Sequence, residues 1–138
     1  MIQHQTQIRV RYGDTDKMSY VYYGKYAEYC EVGRTEFLRS MGISYKQMEE
    51  AGVMLPVAEY NIRYHRAAKY DDLLTITTIL PEKPTAKFKT EYLIHNELGE
   101  HLATAKVILV FVNIATNKVM RVPKDVLAAV EKCWESSR

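Results

Sequence analysis

Residues 102–112, LATAKVILVFV, are the strongest constraint on how this chain can fold. Apart from Thr104 and Lys106 the segment is apolar, and its branched side chains favour a pleated, packed surface. A strand with so little alternation is buried over most of its surface. Some face or edge of its sheet therefore needs a cover, and a partner chain is one candidate. The preceding segment, TAKFKTEYLIH at 85–95, does alternate: Phe88, Thr90, Tyr92 and Ile94 share one face, and Lys87, Lys89 and Glu91 the other. The turn HNELGEH at 95–101 joins the two strands. Residues 54–66 and 73–80 read as further strands. Residues 3–12 read as a first one, with Ile8, Val10 and Tyr12 set against Gln7, Arg9 and Arg11.

Such a sheet needs a helix to cover it, and one long helical signal runs from about Tyr22 to Met41. Tyr23, Ala27, Cys30, Phe37 and Met41 set its stripe, Tyr22, Tyr26, Tyr29 and Val32 widen it, and Gly42 is placed to end it. A short second helix follows, with Ser44 as cap and Gly52 as stop. Pro123 opens a final amphipathic helix, PKDVLAAVEKCW. The order is strand, long helix, short helix, four strands, helix. This predicts a single α+β domain over residues 1–138 whose antiparallel sheet wraps the long helix.

At 47% hydrophobic and 26% charged, the composition excludes disorder, and a net charge of +2 gives no global pull towards nucleic acid or membranes. No apolar run approaches a membrane span, and the opening MIQHQTQIRVRY has no signal-peptide pattern. Cys30 and Cys133 form neither a metal motif nor a disulfide framework, so a cytoplasmic location is expected.

The chemistry concentrates in YGDTDKMSYVYYGKY, residues 12–26. Asp14 and Asp16 can be turn residues that accept backbone amides, or a carboxylate held against aromatic surface as a general base. A calcium loop is rejected, because Met18, Ser19 and Lys25 stand where further ligands or a turn glycine belong. A helix N-terminus beside the carboxylate offers amides to an oxygen that gains charge. Base and oxyanion donors are the minimum equipment for acyl transfer to water. Glu31 and Arg34, three apart on an enclosed helix, are expected to form a structural ion pair. Arg63, His65, Arg66 and Lys69 form a basic cluster suited either to solvent or to phosphates. His4, His65, His95 and His101 lack metal spacing and are assigned surface or structural roles.

The elements R-x-x-Y-x-D-T-D at Arg9–Asp16, V-Y-x-x-x-Y at Val21–Tyr26 and E-x-x-R-T-E at Glu31–Glu36 fall in order, and IRYHRAAKYDDLLTI and VPKDVLAAV follow them. Together they resemble the hotdog-fold acyl-CoA thioesterases of the 4-hydroxybenzoyl-CoA thioesterase and Tol–Pal-associated type, across nearly the whole chain. The resemblance implies a five-stranded antiparallel sheet around one helix, and two such units paired edge to edge with the active sites at their interface. It implies hydrolysis of an acyl-CoA or acyl-carrier-protein thioester, with Asp16 as nucleophile or general base and no metal or organic cofactor. Tyr23 and Tyr26 would then touch substrate. Arg63, Arg66 and Lys69 would face the phosphates of CoA, and the assembly would be a homodimer or homotetramer. Two letters depart from the pattern: Ser19 stands where close relatives usually have glycine, and Tyr23 where they often have histidine. Those departures motivate an alternative, a non-catalytic hotdog domain that binds acyl-CoA or a protein partner. A dehydratase would need a histidine at the acyl site, and none lies near Asp16 in sequence.

Overall fold

The computed structural model describes residues 1–137. Its elements in chain order are β1 (Ile2–Arg9), α1 (Lys25–Ser40), α2 (Tyr45–Glu50), β2 (Val53–Met54), β3 (Val57–Tyr64), β4 (Leu73–Leu80), β5 (Lys87–His95), β6 (His101–Val110), β7 (Val112–Asn113), β8 (Lys118–Val119) and α3 (Lys124–Ser136). The main sheet has five strands in the order β1–β4–β5–β6–β3, and every pair in it is antiparallel. The alternation in β5 is realised residue for residue. Phe88, Thr90, Tyr92 and Ile94 point inward opposite Leu109, Val107, Ala105 and Ala103 of β6, and all eight are buried.

The apolar run at 102–112 is not one strand. Phe111, fully buried, separates β6 from β7, which turns away to pair with β2 and β8 in a small second sheet. The segment 54–66 likewise divides at Leu55–Pro56, where proline supplies no ladder amide but its carbonyl accepts from Val110.

Helix α1 packs across β1 and β4. Its buried residues are Tyr26, Tyr29, Cys30, Gly33, Arg34, Phe37 and Leu38, a run of three- and four-residue steps. The expected stripe was therefore rotated, since Tyr23, Ala27 and Val32 face solvent. The helix also starts later than expected, at Lys25, because Tyr22–Gly24 form a turn. Burying each large side chain of this face contributes roughly 1.5–3 kcal/mol. Gly33 permits the close crossing: a Cβ there would stand 2.8 Å from both Ile76 Cγ2 and Thr78 Oγ1. Gly42, at φ +79°, ends the helix in the left-handed conformation, and Ile43 N–H bonds back to the Leu38 carbonyl. Ser44 caps α2 by accepting from the Gln47 amide.

The expected Glu31–Arg34 ion pair does not form. Arg34 points at the sheet, where its Nε donates to the Tyr45 hydroxyl at 2.9 Å and its Nη1 to the Tyr92 hydroxyl at 3.0 Å. Glu31, offset around the helix, stays exposed. The polar chain continues through Tyr92 to Thr90, which donates to the Val107 carbonyl. Arg34 is thus a buried guanidinium held by hydroxyls, with no carboxylate within salt-bridge distance among the described residues.

Candidate active site

The loop from Asp14 to Gly24 carries the candidate residues from the end of β1 to the start of α1. Its frame is made of backbone bonds. Asp16 N–H donates to Tyr20 O at 2.8 Å, Ser19 N–H to Asp16 O at 3.0 Å, Val21 N–H to Ala68 O at 2.9 Å and Tyr22 N–H to Asp14 O at 2.9 Å. Ser19 takes φ +65°, a conformation natural to glycine and costly for other residues. Its role is therefore the tight turn, and Gly24 occupies the cap position of α1. Beyond Tyr22 the chain turns directly into the helix. The amides of Tyr23 and Gly24 have no hydrogen-bond partner among the described residues and stand at the positive end of α1.

The two aspartates occupy opposite environments. Asp14 is buried, and its carboxylate accepts from Tyr29 Oη at 2.9 Å, from the Arg11 amide at 3.1 Å and from Arg11 Nη2 at 3.4 Å, with Lys25 Nζ 3.9 Å away. Burial pushes its pKa up, but the bonds from the Arg11 amide, Tyr29 and the Arg11 side chain outweigh that and hold it below the usual carboxylate value. A carboxylate so fully engaged is a poor base. Asp16 is exposed: Oδ1 accepts the Met18 amide at 2.8 Å, an Asx-type turn, while Oδ2 has no partner among the described residues. The expected low-dielectric wall therefore does not enclose Asp16 within one chain. Tyr20, Tyr22 and Tyr23 all lie at the surface.

An aromatic cluster does form, on the other side of the helix start. Tyr26 is buried, with its hydroxyl accepting from Ala68 N at 3.2 Å, and burial raises its pKa. Tyr64 of β3 stands edge-on to Tyr26 at 5.0 Å between centroids and donates its hydroxyl to the Tyr23 carbonyl at 3.2 Å. Tyr60, four residues before Tyr64 on β3, shares this face; burial, with Cys30 nearby, raises its pKa. Tyr60 and Tyr64 were not singled out from sequence, although the i, i+2, i+4 spacing of Tyr60, Ile62 and Tyr64 marks one face of a strand. Both are partly exposed because β3 is an edge strand.

The basic cluster at residues 63–69 does not hold together. Arg63 and His65 project from the outer face of the sheet into a groove of about 680 Å³ with Asn61, Thr104 and Lys106, opposite the face that carries Tyr60 and Tyr64. Alternation along β3 forces this separation. Arg66 pairs with Glu100 at 2.6 Å. Lys69 bridges to Tyr20 through the backbone and lines a hollow with Tyr20 and Arg66, so it is the cluster member tied to the Asp16 loop. Three histidines that are far apart in sequence meet on the outer face. His101 lies 4.6 Å from His65 and 4.9 Å from His95, and Thr104 Oγ1 lies 3.0 Å from the Nε2 atoms of both His65 and His101. Burial, then the neighbouring His101, lowers the pKa of His95. No metal-binding cluster exists among the described residues. Nor, among the described residues, is any helix long and apolar enough to cross a membrane.

Comparison with known proteins agrees with this architecture. Residues 10–130 match the thioesterase-like superfamily. The chain is 36% identical over 124 residues to the acyl-CoA thioesterase YbgC of Haemophilus influenzae, covering 88% of this chain and 90% of the relative. It is 31% identical over 122 residues to the acyl-CoA thioester hydrolase YbgC of Escherichia coli, covering 88% of this chain and 90% of the relative. The solved structure of a DHNA-CoA thioesterase from Staphylococcus aureus superposes with a TM-score of 0.89 at 28% identity, over 100% of this chain and 97% of that one. The sheet wrapped on one long helix is the hotdog fold, and the chain belongs to the thioesterase-like superfamily.

Proposed function

We propose that this protein hydrolyses the thioester of an acyl-CoA or acyl-carrier-protein, releasing free acid and thiol, with Asp16 as its essential carboxylate. The observation that carries this reading is the arrangement of one loop. Among the described residues it presents a carboxylate oxygen without a partner at Asp16 and, seven and eight residues on, two amides without partners at the positive end of α1. The carboxylate attacks the thioester carbonyl or takes a proton from the attacking water. The amides of Tyr23 and Gly24 receive the negative charge that develops on the acyl oxygen. Tyr23 holds its ring at the surface beside this point and keeps its carbonyl bonded to Tyr64, so it serves as wall and donor rather than as base.

The same reading takes β3 as the seam of a homodimer or homotetramer. Its open edge and the exposed rings of Tyr60 and Tyr64 favour a second copy laid alongside, which would also close water out of the Asp16 loop. Tyr23, Tyr26, Tyr60 and Tyr64 then line the acyl group, and Lys69, bridged to the loop through Tyr20, offers a basic side chain for a carrier phosphate.

The test is turnover of a panel of acyl-CoAs and acyl-carrier-protein thioesters, beside Asp16→Asn. The expected result is cleavage by the wild type and a loss of about a thousandfold or more in the variant, as when a unit of the catalytic machinery is removed. Absence of cleavage on every thioester, or a variant as fast as the wild type, overturns the assignment.

A further inference from the structure

Asp14 is the most heavily bonded side chain beside the Asp16 loop, and turn formation alone does not require its burial. Its carboxylate, only 2% exposed, gathers donors from both flanking elements. The Arg11 amide and guanidinium approach from the segment just beyond β1, and the Tyr29 hydroxyl and Lys25 ammonium from α1. An ionised carboxylate accepts on every side and donates on none, so it alone suits a pocket where every neighbour is a donor. The backbone carbonyl of the same residue accepts the Tyr22 amide at 2.9 Å, immediately before the two amides that have no partner. One residue thus fixes the beginning of the loop through its side chain and the end through its main chain. Asp16 lies between those two anchors.

We infer that Asp14 is a positioning residue: by tying the loop to Arg11 just beyond β1 and to α1 it sets where the Asp16 carboxylate stands relative to the free amides of Tyr23 and Gly24. The inference rests on the reading of Asp16 given under the proposed function. Replacing Asp14 with asparagine keeps size and one oxygen but turns an NH₂ group towards Arg11, Lys25 and Tyr29, so that donor faces donor. The loop shifts, and a displacement of about 1 Å at a reacting carboxylate costs up to about a hundredfold in rate. Substrate binding, which depends on the aromatic wall and Lys69, changes little.

The experiment measures kcat and KM on the thioester the wild type cleaves best, with melting curves, for Asp14→Asn, Tyr29→Phe and Val130→Ala. Val130 is fully buried in α3, outside the loop and its contacts, and controls for lost stability alone. Asp14→Asn is expected to lower kcat about ten- to hundredfold with KM within about threefold of wild type. Tyr29→Phe, which removes one of the donors, lowers kcat less. Val130→Ala lowers the melting temperature and leaves kcat unchanged. The inference is overturned if Asp14→Asn keeps kcat within about twofold of wild type, or if Val130→Ala loses kcat to the same degree. Should Asp14→Asn fail to fold, Tyr29→Phe decides, and an unchanged kcat there overturns it. An inactive Asp16→Asn beside a fully active Asp14→Asn removes this inference alone, whereas an inactive wild type removes it together with the proposed function.

Discussion

The two ends of α1 are built to different specifications. From Cys30 to Leu38 the helix is pressed into the sheet, with Gly33 against Ile76 and Thr78, Arg34 bonded to two tyrosines, and Phe37 and Leu38 sealed in the core. Burial pushes the Cys30 thiol up to about 12, which leaves it an inert core residue. At the other end the chain enters through a turn whose Tyr23 and Gly24 amides have no partner among the described residues, a serine in a left-handed conformation and three surface tyrosines. One end fixes the helix, and the other leaves polar groups without partners that a substrate or second chain can use. Substitutions at the open end should therefore change rate without much change in stability, and those at the packed end the reverse.

Asp16→Asn is the largest expected effect: loss of turnover by about a thousandfold, as described above, with a melting temperature within about 2 °C of wild type. The small thermal shift follows from the exposure of Asp16 and from its side chain's one bond among the described residues, to the Met18 amide. A large drop in melting temperature would break the comparison, because the open end would then be holding the fold.

Gly33→Val is its counterpart. The added Cβ meets Ile76 and Thr78 at 2.8 Å, and neither the sheet nor the helix backbone can withdraw without losing other contacts. The expected cost is about 2–3 kcal/mol by chemical denaturation, with kcat near wild type at temperatures where the variant is folded. If kcat falls in the folded variant, the two ends of the helix are mechanically coupled.

Arg34→Met sharpens the energetics of the packed end. A buried ion pair broken on one side costs about 3–5 kcal/mol, because the remaining charge is stranded. Here the partners are the hydroxyls of Tyr45 and Tyr92, and Tyr92 keeps its contact with Thr90 at 2.7 Å. The expected loss is about 1–2 kcal/mol, read from the denaturation midpoint at constant m-value. A loss as large as that of a broken ion pair would reveal a counter-charge brought by a partner chain.

Legibility in the sequence follows the same division. The sheet could be read because β5 alternates from Lys87 to Tyr92 and its neighbours are dense in branched residues. Gly42, Gly52 and Ser44 marked helix boundaries through local backbone chemistry. The phase of α1 was harder: tyrosines occupy Tyr20, Tyr22, Tyr23, Tyr26 and Tyr29, and a tyrosine serves equally in a core or at a wet surface. Spacing made Glu31 and Arg34 look paired, but the sheet supplied better partners from Tyr45 and Tyr92. The roles of Asp14 and Asp16 were separated only by the resemblance, since a D-x-D spacing does not say which carboxylate turns inward. The meeting of His65, His95 and His101 depends on strand order and register, which no local pattern carries.

Ser19→Gly is the smallest effect and the finest probe of the open end. At φ +65° a side chain costs about 1–2 kcal/mol relative to glycine, while glycine gives back about 0.4–1 kcal/mol through the greater freedom of the unfolded chain. Ser19 is exposed, and among the described residues its hydroxyl makes no hydrogen bond that would be lost. The net expectation is a gain of about 0.5 kcal/mol, a rise of about 2 °C in melting temperature. Turnover should change less than twofold, because the backbone bonds from Asp16 to Tyr20 and from Ser19 to Asp16 are independent of the side chain. A large gain in turnover would instead mean that the serine holds the Asp16 loop away from its best geometry. The departure at this position would then matter for rate as well as for stability.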